Sequence, residues 1–393
     1  MIILRNARVI KELTPNFEGT NADIVIDGCK IVEIAPAKTA NGETVLDMSG
    51  KTVMPGMIEA HLHLDLCGIN TFEENVQPDA YRTIRALKLA QDNLRKGYTT
   101  IRDVGDRNNI IINLARAVDN GIAIAPDILP CGNILTPTEA GNDFFDGMYL
   151  EADSPMEFRK CVRKQYQLGA KWIKIMATGA VMNPGGVPGS SIIMEDELKA
   201  ACETAKYVNL PVSIHCHGAD GIKMGIRCGV RTIEHSSIMD DECIRMYLAS
   251  KQTFPIPTMA PMANFIEFSK DKPKHYVEKA KHLRKTVIDG LRAAREAGVK
   301  IGWGTDAGVY VGSHGDGIYE FRTRIRDVGF TPLECLIQAT KNNSEILMID
   351  DTVGTLEVGK KANIVAFNGN PDESIEALNY VALVMKDGTM VQL

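Results

Sequence analysis

The histidines carry most of the chemistry that this sequence can offer. His61 and His63 stand two apart in Gly56-Met-Ile-Glu-Ala-His61-Leu-His63-Leu-Asp65, at the end of an apolar run. In a β-strand, residues two apart face the same side, so the two imidazoles would sit roughly 6–7 Å apart along one face. That spacing suits a pincer on one divalent cation if further ligands converge on it. Alone, such a pair is more often two rings satisfied by packing. His215 and His217 recur in Ser213-Ile-His-Cys-His-Gly218, His235 in Thr232-Ile-Glu-His-Ser236, and Asp306 in Gly302-Trp-Gly-Thr-Asp-Ala-Gly308. Lys174 lies in Trp172-Ile-Lys-Ile-Met-Ala177, with apolar neighbours on both sides. Burial lowers a lysine pKa. A neutral amine can take up carbon dioxide as a carbamate, whose two oxygens could bridge two cations. The alternative is a packed stem with the amine reaching towards solvent.

These residues need elements that bring them together. Short apolar runs alternate with amphipathic stretches between about Pro55 and Asp351. The expected strands are 58–63, 99–104, 128–131, 172–177, 211–215, 232–235, 253–257 and 300–305. Helical patterns fill the gaps at 81–96, 108–120, 156–168, 195–208, 221–228, 241–250 and 275–297, with 316–328 after the last strand. Eight strands each followed by a helix predict an α/β fold, a (β/α)8 TIM barrel over residues 55–352. A doubly wound sheet is the alternative, but no Gly-x-Gly-x-x-Gly turn follows the first strand. Residues 1–54 and 353–393 read as strands and hairpins, too few at either end to bury a core alone. Together they predict a small β-sandwich domain built from both termini. A barrel places function at the C-terminal ends of its strands. His61, His63, His215, His217 and His235 fall there or just beyond, as does Asp306, so the convergent reading outweighs the packing one.

Composition sets the class. The net charge of −6 and the absence of a basic run give no reason to expect nucleic acid. No apolar stretch is long enough to span a bilayer, and no signal peptide is expected. Nine cysteines without a Cys-x-x-Cys pair read as reduced thiols of a cytoplasmic protein. The expected partner is a small-molecule substrate, with neither nucleic acid nor membrane, and a homo-oligomer is expected.

The set His61-x-His63, Lys174, His215, His235 and Asp306 resembles the binuclear metal centre of the amidohydrolase superfamily. Further segments resemble its imidazolonepropionase-like and Xaa-Pro dipeptidase (prolidase-like) branch: Thr100-Ile-Arg-Asp-Val-Gly105, Ala177-Thr-Gly-Ala-Val181, Gly304-Thr-Asp-Ala-Gly308 and Gly354-Thr-Leu-Glu-Val-Gly-Lys-Lys-Ala-Asn363. The resemblance implies two divalent metal ions, with zinc the foremost candidate. His61, His63 and Asp306 would hold the more buried ion and His215 and His235 the other. Lys174, carboxylated by carbon dioxide, would bridge them. It also implies hydrolysis of an amide (C–N) bond in a dipeptide-like molecule or an N-acyl amino acid. A metal-bridging hydroxide would attack the carbonyl, and Asp306 would pass the proton to the leaving nitrogen.

Other classes are a cyclic amide or lactone hydrolase, a heterocycle deaminase of the same superfamily, and a non-catalytic relative. Lys174 counts against the deaminase, and the filled ligand positions count against the last. Relatives in the dipeptidase branch carry a Gly-Gly-His-Gly-Asp stretch after strand three, whose histidine helps hold a substrate carboxylate. Here the run is Thr136-Pro-Thr-Glu-Ala-Gly-Asn-Asp143, without a histidine. His217, Arg102, Asn142 and His314 are the candidate substrate contacts. Arg102 is equally readable as a structural ion pair, and His314 as a cap on its glycine-rich loop.

Overall fold

The computed structural model describes residues 1–68, 71–183 and 186–392, with Thr71 and Phe72 as backbone only. The Gly/Pro-rich sequence of the loop 182–189 suits a segment that could close over a ligand; its Pro184 and Gly185 lie outside the described residues, as does Leu393 at the end of the stretch 353–393 read as strands and hairpins.

Seven parallel strands make most of a barrel: Met57–Leu62, Tyr98–Asp103, Asp127–Pro130, Ile173–Met176, Val212–Cys216, Thr232–His235 and Phe254–Ile256. The first three pair in sequence order, and so do the last four. The two groups meet where the Lys171 N–H donates to the Pro130 carbonyl at 2.8 Å. After a break the chain beyond the third strand resumes as Ile134–Thr136, which pairs with the fourth strand through Leu135 and Ile175. Five of these strands, the first, second, fourth, fifth and sixth, are buried at every residue, as a parallel sheet covered by helices requires.

The eighth segment, expected as a strand over 300–305, forms no regular ladder. It closes the barrel through separate bonds: Gly302 N–H to Pro255 O (3.0 Å), Ala60 N–H to Trp303 O (3.3 Å) and Asp306 N–H to His61 O (2.7 Å). Two glycines account for this, since strand interiors tolerate them poorly but close backbone approach needs them. A Cβ on Gly304 would lie 2.6 Å from the His61 Cβ, and one on Gly302 would lie 2.2 Å from Ile256 Cδ1.

The helices wrap the barrel with their apolar stripes inward. Asp79–Arg95 buries Arg82, Ala86, Ala90, Asn93 and Leu94, a three-to-four-residue repeat. Pro155–Leu168 has both ends specified. Ser154 accepts a hydrogen bond from the Glu157 N–H and Pro155 opens the helix, while Gly169 closes it at φ 101°.

The termini form one separate eight-stranded sheet. Its main path runs from Thr389–Met390 through Val381–Lys386, Ile364–Asn368, Lys51–Pro55, Ile2–Val9 and Asn21–Asp27 to Lys30–Pro36. Thr44–Asp47 forks off by pairing with Ile2–Val9. The antiparallel pair of Ile364–Asn368 with Lys51–Pro55 joins the two chain ends. Period-two alternation then divides the labour. Ile364, Ala366 and Met385 pack with Leu4, Ile24 and Ile26 in the sheet's own core. Val365, Phe367 and Val384 belong to the core of the barrel. The terminal strands, expected as a small β-sandwich domain, thus form a sheet with one face packed on the barrel.

Candidate active site

The ends of five barrel strands and the eighth segment converge on one cavity, lined among others by His61, His63, Lys174, His215, His217, His235 and Asp306. Each ring is fixed through one nitrogen. His61 donates from Nδ1 to Glu234 Oε2 at 2.6 Å, and His63 from Nδ1 to the Gly105 carbonyl at 2.8 Å. Acceptors at Nδ1 place the hydrogen there and leave Nε2 as a lone pair. Both Nε2 atoms face the Asp306 carboxylate, at 3.3 Å and 3.6 Å. His235 bonds Thr258 Oγ1 through Nδ1 (2.7 Å), and His217 bonds Ser237 Oγ the same way (2.7 Å). His215 Nε2 is buried with no hydrogen-bond partner.

Two of these residues sit in strained backbone. His235 has φ 66° and Asp306 has φ 55°, the left-handed region that non-glycine residues rarely occupy. The Asp306 N–H is held by the His61 carbonyl and the Ser236 N–H by the Cys216 carbonyl (3.0 Å), so neighbouring strands stabilise both kinks.

The electrostatics favour neutral nitrogen ligands. Burial brings His63 and His217 down to about 4 and holds His215 and His235 well below the ordinary imidazole range. Burial also lowers the Lys174 ammonium to about 8, which leaves a usable fraction of free amine near neutrality. For Asp306, burial pushes upward, but protonated His61 and His63 beside it would carry the carboxyl below its usual value.

Ligand atoms of His61, His235 and Asp306 lie within 4.8 Å of one another. This triad straddles the two ligand sets that the sequence resemblance implies. Neutral imidazoles, a carboxylate, an amine open to carboxylation and a buried unpartnered nitrogen are the donor set that a hydrolytic divalent metal takes. The residues present therefore fit such a group.

Of the four expected substrate contacts, the structure brings only His217 to the cavity. Arg102 is a buried structural residue. It donates to Glu234 Oε1 (2.8 Å), Thr232 Oγ1 (2.9 Å) and the Ala60 carbonyl (2.7 Å), and its guanidinium centre lies 4.4 Å from the centre of the Trp172 ring. A guanidinium on a strand interior needs a carboxylate below the mouth, and Glu234 supplies it. Asn142 lies behind the wall. Its amide donates to the Pro137 carbonyl (3.1 Å) and Glu151 Oε1 (2.7 Å), which secures the turn Asn142–Phe145 whose Phe145 lines the cavity. His314 donates from Nε2 to the Leu66 carbonyl (3.0 Å), holding another wall residue from outside.

Sequence reasoning missed Glu234, Thr258 and Ser237. Glu234 had a signal: Thr232 and Glu234 share a strand face, and an arginine inside the second barrel strand lacked a counter-charge. Ser237 and Thr258 are loop hydroxyls with no such signal.

The sequence profile of the Amidohydrolase family matches residues 52–391. Ochratoxinase from Aspergillus niger is 27% identical over 351 residues, covering 82% of this chain and 72% of that protein. Its crystal structure matches with a TM-score of 0.87 at 25% identity, over 99% of this chain and 95% of that one. Imidazolonepropionase from Streptomyces griseus subsp. griseus is 23% identical over 376 residues, covering 88% and 85%. A crystal structure of a Xaa-Pro dipeptidase with bound methionine in the active site matches at a TM-score of 0.90 and 29% identity, over the whole of both chains. The profile runs from within the strand Lys51–Pro55 to just past Met390 and takes in every residue of the cluster. This chain belongs to the amidohydrolase family.

Proposed function

We propose that this protein is a binuclear metal-dependent hydrolase that cleaves an amide bond in a small molecule. The observation that carries this is the convergence of His61, His63, Lys174, His215, His235 and Asp306 on one cavity, with His215 Nε2 buried and unpartnered. Kinship with a dipeptidase and an ochratoxinase supports the reaction class. All nine cysteines are unpaired, which supports a reducing, cytoplasmic setting. Among the described residues no helix is long and apolar enough to cross a membrane.

Divalent ions such as zinc, held by these six residues with Lys174 carboxylated, would acidify a water molecule and polarise the scissile carbonyl. The chain's own groups do the rest. Asp306 accepts the proton of the attacking water and delivers it to the leaving nitrogen, so the C–N bond breaks as an amine departs and a carboxylate remains. His217, fixed by Ser237, offers its remaining ring nitrogen to the substrate. Glu234 keeps the His61 lone pair aimed at the cavity.

Metal analysis of protein grown without added metal tests the reading. About two equivalents per chain are expected at full activity. One equivalent or less at full activity, or an unmodified Lys174 in a well-resolved metal-loaded structure, would overturn the two-metal reading.

A further inference from the structure

The cavity wall beyond the histidines is built from Phe145, Met148, Met176, Met182, Met262 and Phe265, with smaller apolar residues and Tyr149 between them; the lining hydroxyls of Ser237 and Thr258 are bonded to His217 and His235. Lys174 and Asp306 are the two charged residues that line it, and both belong to the donor cluster.

Among the described residues, the cations outside the donor cluster that pack nearest this wall are Arg102, Lys279, Arg82 and Arg107, and each is engaged by partners away from the cavity. Arg102 lies beneath the cluster, paired with Glu234. Lys279, one residue from the lining Ala280, donates its ammonium to the carbonyls of Gly186 (2.6 Å), Asn183 (3.0 Å) and Val181 (3.4 Å). Arg82 and Arg107 stand behind Leu66, Phe145 and Met148, in a small adjoining cleft. Arg82 pairs with Asp65, and Arg107 donates to Glu74 and Asn75 carbonyls at 3.2 Å and 2.8 Å. Arg82 Nε and Nη1 and Arg107 Nε are buried without a hydrogen-bond partner, and Leu66, Phe145 and Met148 stand between them and the cavity.

We infer that the substrate is a bulky apolar amide whose flanking groups carry no charge, and that a free carboxylate beside the scissile bond is rejected. The inference rests on the amide-hydrolase reading and narrows it. A dipeptide or an N-acyl amino acid would bring its carboxylate against methionine and phenylalanine side chains. An ionised group desolvated there without a partner is strongly disfavoured. Apolar bulk is instead favoured, because flexible thioethers repack around aromatic and aliphatic groups. Four methionines in one wall mark a pocket that adapts to shape while discriminating against charge.

Two molecules that differ only in that carboxylate decide the matter: N-benzoyl-L-phenylalanine and N-benzoylphenethylamine. The metal-loaded enzyme should hydrolyse the uncharged compound with a kcat/KM greater by roughly a hundredfold, the scale set by one unpartnered buried ionic group. Equilibrium dialysis of each compound against metal-free Lys174→Met protein should show the same order of affinity, which removes any attraction of the metals or of the free Lys174 ammonium for the carboxylate. Equal or tighter binding of the acid to this metal-free protein would overturn the inference. Loss of that preference in Arg107→Met would then place the anchor in the adjoining cleft. Preferred binding of the uncharged compound without turnover of either compound by two-metal enzyme would uphold the pocket's selectivity and overturn the amide-hydrolase reading instead.

Discussion

Glu234 should control how tightly the site holds metal, and a double-mutant cycle with Arg102 can show it. The carboxylate is fully buried and divided between two tasks. Oε2 accepts from His61 Nδ1 at 2.6 Å, while Oε1 accepts from Arg102 at 2.8 Å and from Thr232 Oγ1 at 2.5 Å. Burial opposes its charge, but Arg102 and His61 override that and hold it ionised well below the ordinary glutamate value. Glu234→Gln leaves one acceptor oxygen where there were two, so either His61 or Arg102 faces an amide NH2. Breaking a buried pair costs about 3–5 kcal/mol. Arg102 keeps the Ala60 carbonyl and Thr232, which sets the expected loss of stability at the lower end, about 3 kcal/mol. Metal affinity should fall by about 10–100-fold, the usual effect of removing a carboxylate behind a metal-binding histidine. Arg102→Met should destabilise by a similar amount with a smaller effect on metal. The double variant separates the two roles. Removing both charges should restore much of the stability, because an apolar replacement of a buried pair is often neutral. It should leave metal affinity at the Glu234→Gln level. Urea unfolding of metal-free protein reads the first quantity and chelator competition reads the second. A double variant that regains metal affinity along with stability would refute a direct hold of Glu234 on His61.

Asp306→Asn should keep the fold and much of the metal yet lose turnover of an amide, since the amide side chain cannot carry the proton; near-normal kcat measured at matched metal content would refute its role in proton transfer. Acid should destabilise the metal-free protein. Burial holds His63 and His217 near about 4, against 6.5 in the unfolded chain, so only the unfolded state binds protons between those limits. Stability is therefore full above about pH 6.5 and falls towards pH 4. A urea midpoint that stays flat from pH 7 to 4 would contradict it.

The barrel was legible because its signals are periodic and redundant. Each strand is an apolar run followed by a helix with a buried stripe, so an error at one boundary leaves the alternation intact. His61, His63, His215 and His235 were legible because strand ends on this architecture share one opening. What failed was anything decided by a partner on another element. Arg102 looks the same in sequence whether it greets a substrate or pairs beneath the floor, and only the position of Glu234 on the sixth strand decides it. Asn142 and His314 were placed in the correct neighbourhood, but loop conformation turned both towards backbone carbonyls behind the wall. The eighth segment was expected as an ordinary strand. Close packing against His61 and Ile256 instead replaced a regular ladder with glycine contacts.

The strained residues explain how one strand can serve two layers of the site. Alternation along Thr232–His235 sends Thr232 and Glu234 into the barrel interior and would send His235 outwards to the helices. The left-handed turn at His235 breaks that alternation and swings the ring back over the mouth, where it lies 4.8 Å from the His61 ring. Glu234 can then support His61 from below while its neighbour in sequence joins the same cluster from above. Asp306 uses the same device at the end of the eighth segment, with its N–H held by the His61 carbonyl. Glu59 ties the arrangement together by accepting the N–H groups of both His61 (2.9 Å) and Thr305 (3.1 Å), fixing the first strand against the eighth segment. Left-handed backbone is tolerated at histidine and aspartate more readily than at branched residues, so the residue types that suit the donors also suit the turns. Strain at two strand ends is therefore part of how the cluster is assembled, and it persists because hydrogen bonds from adjacent strands over-determine it.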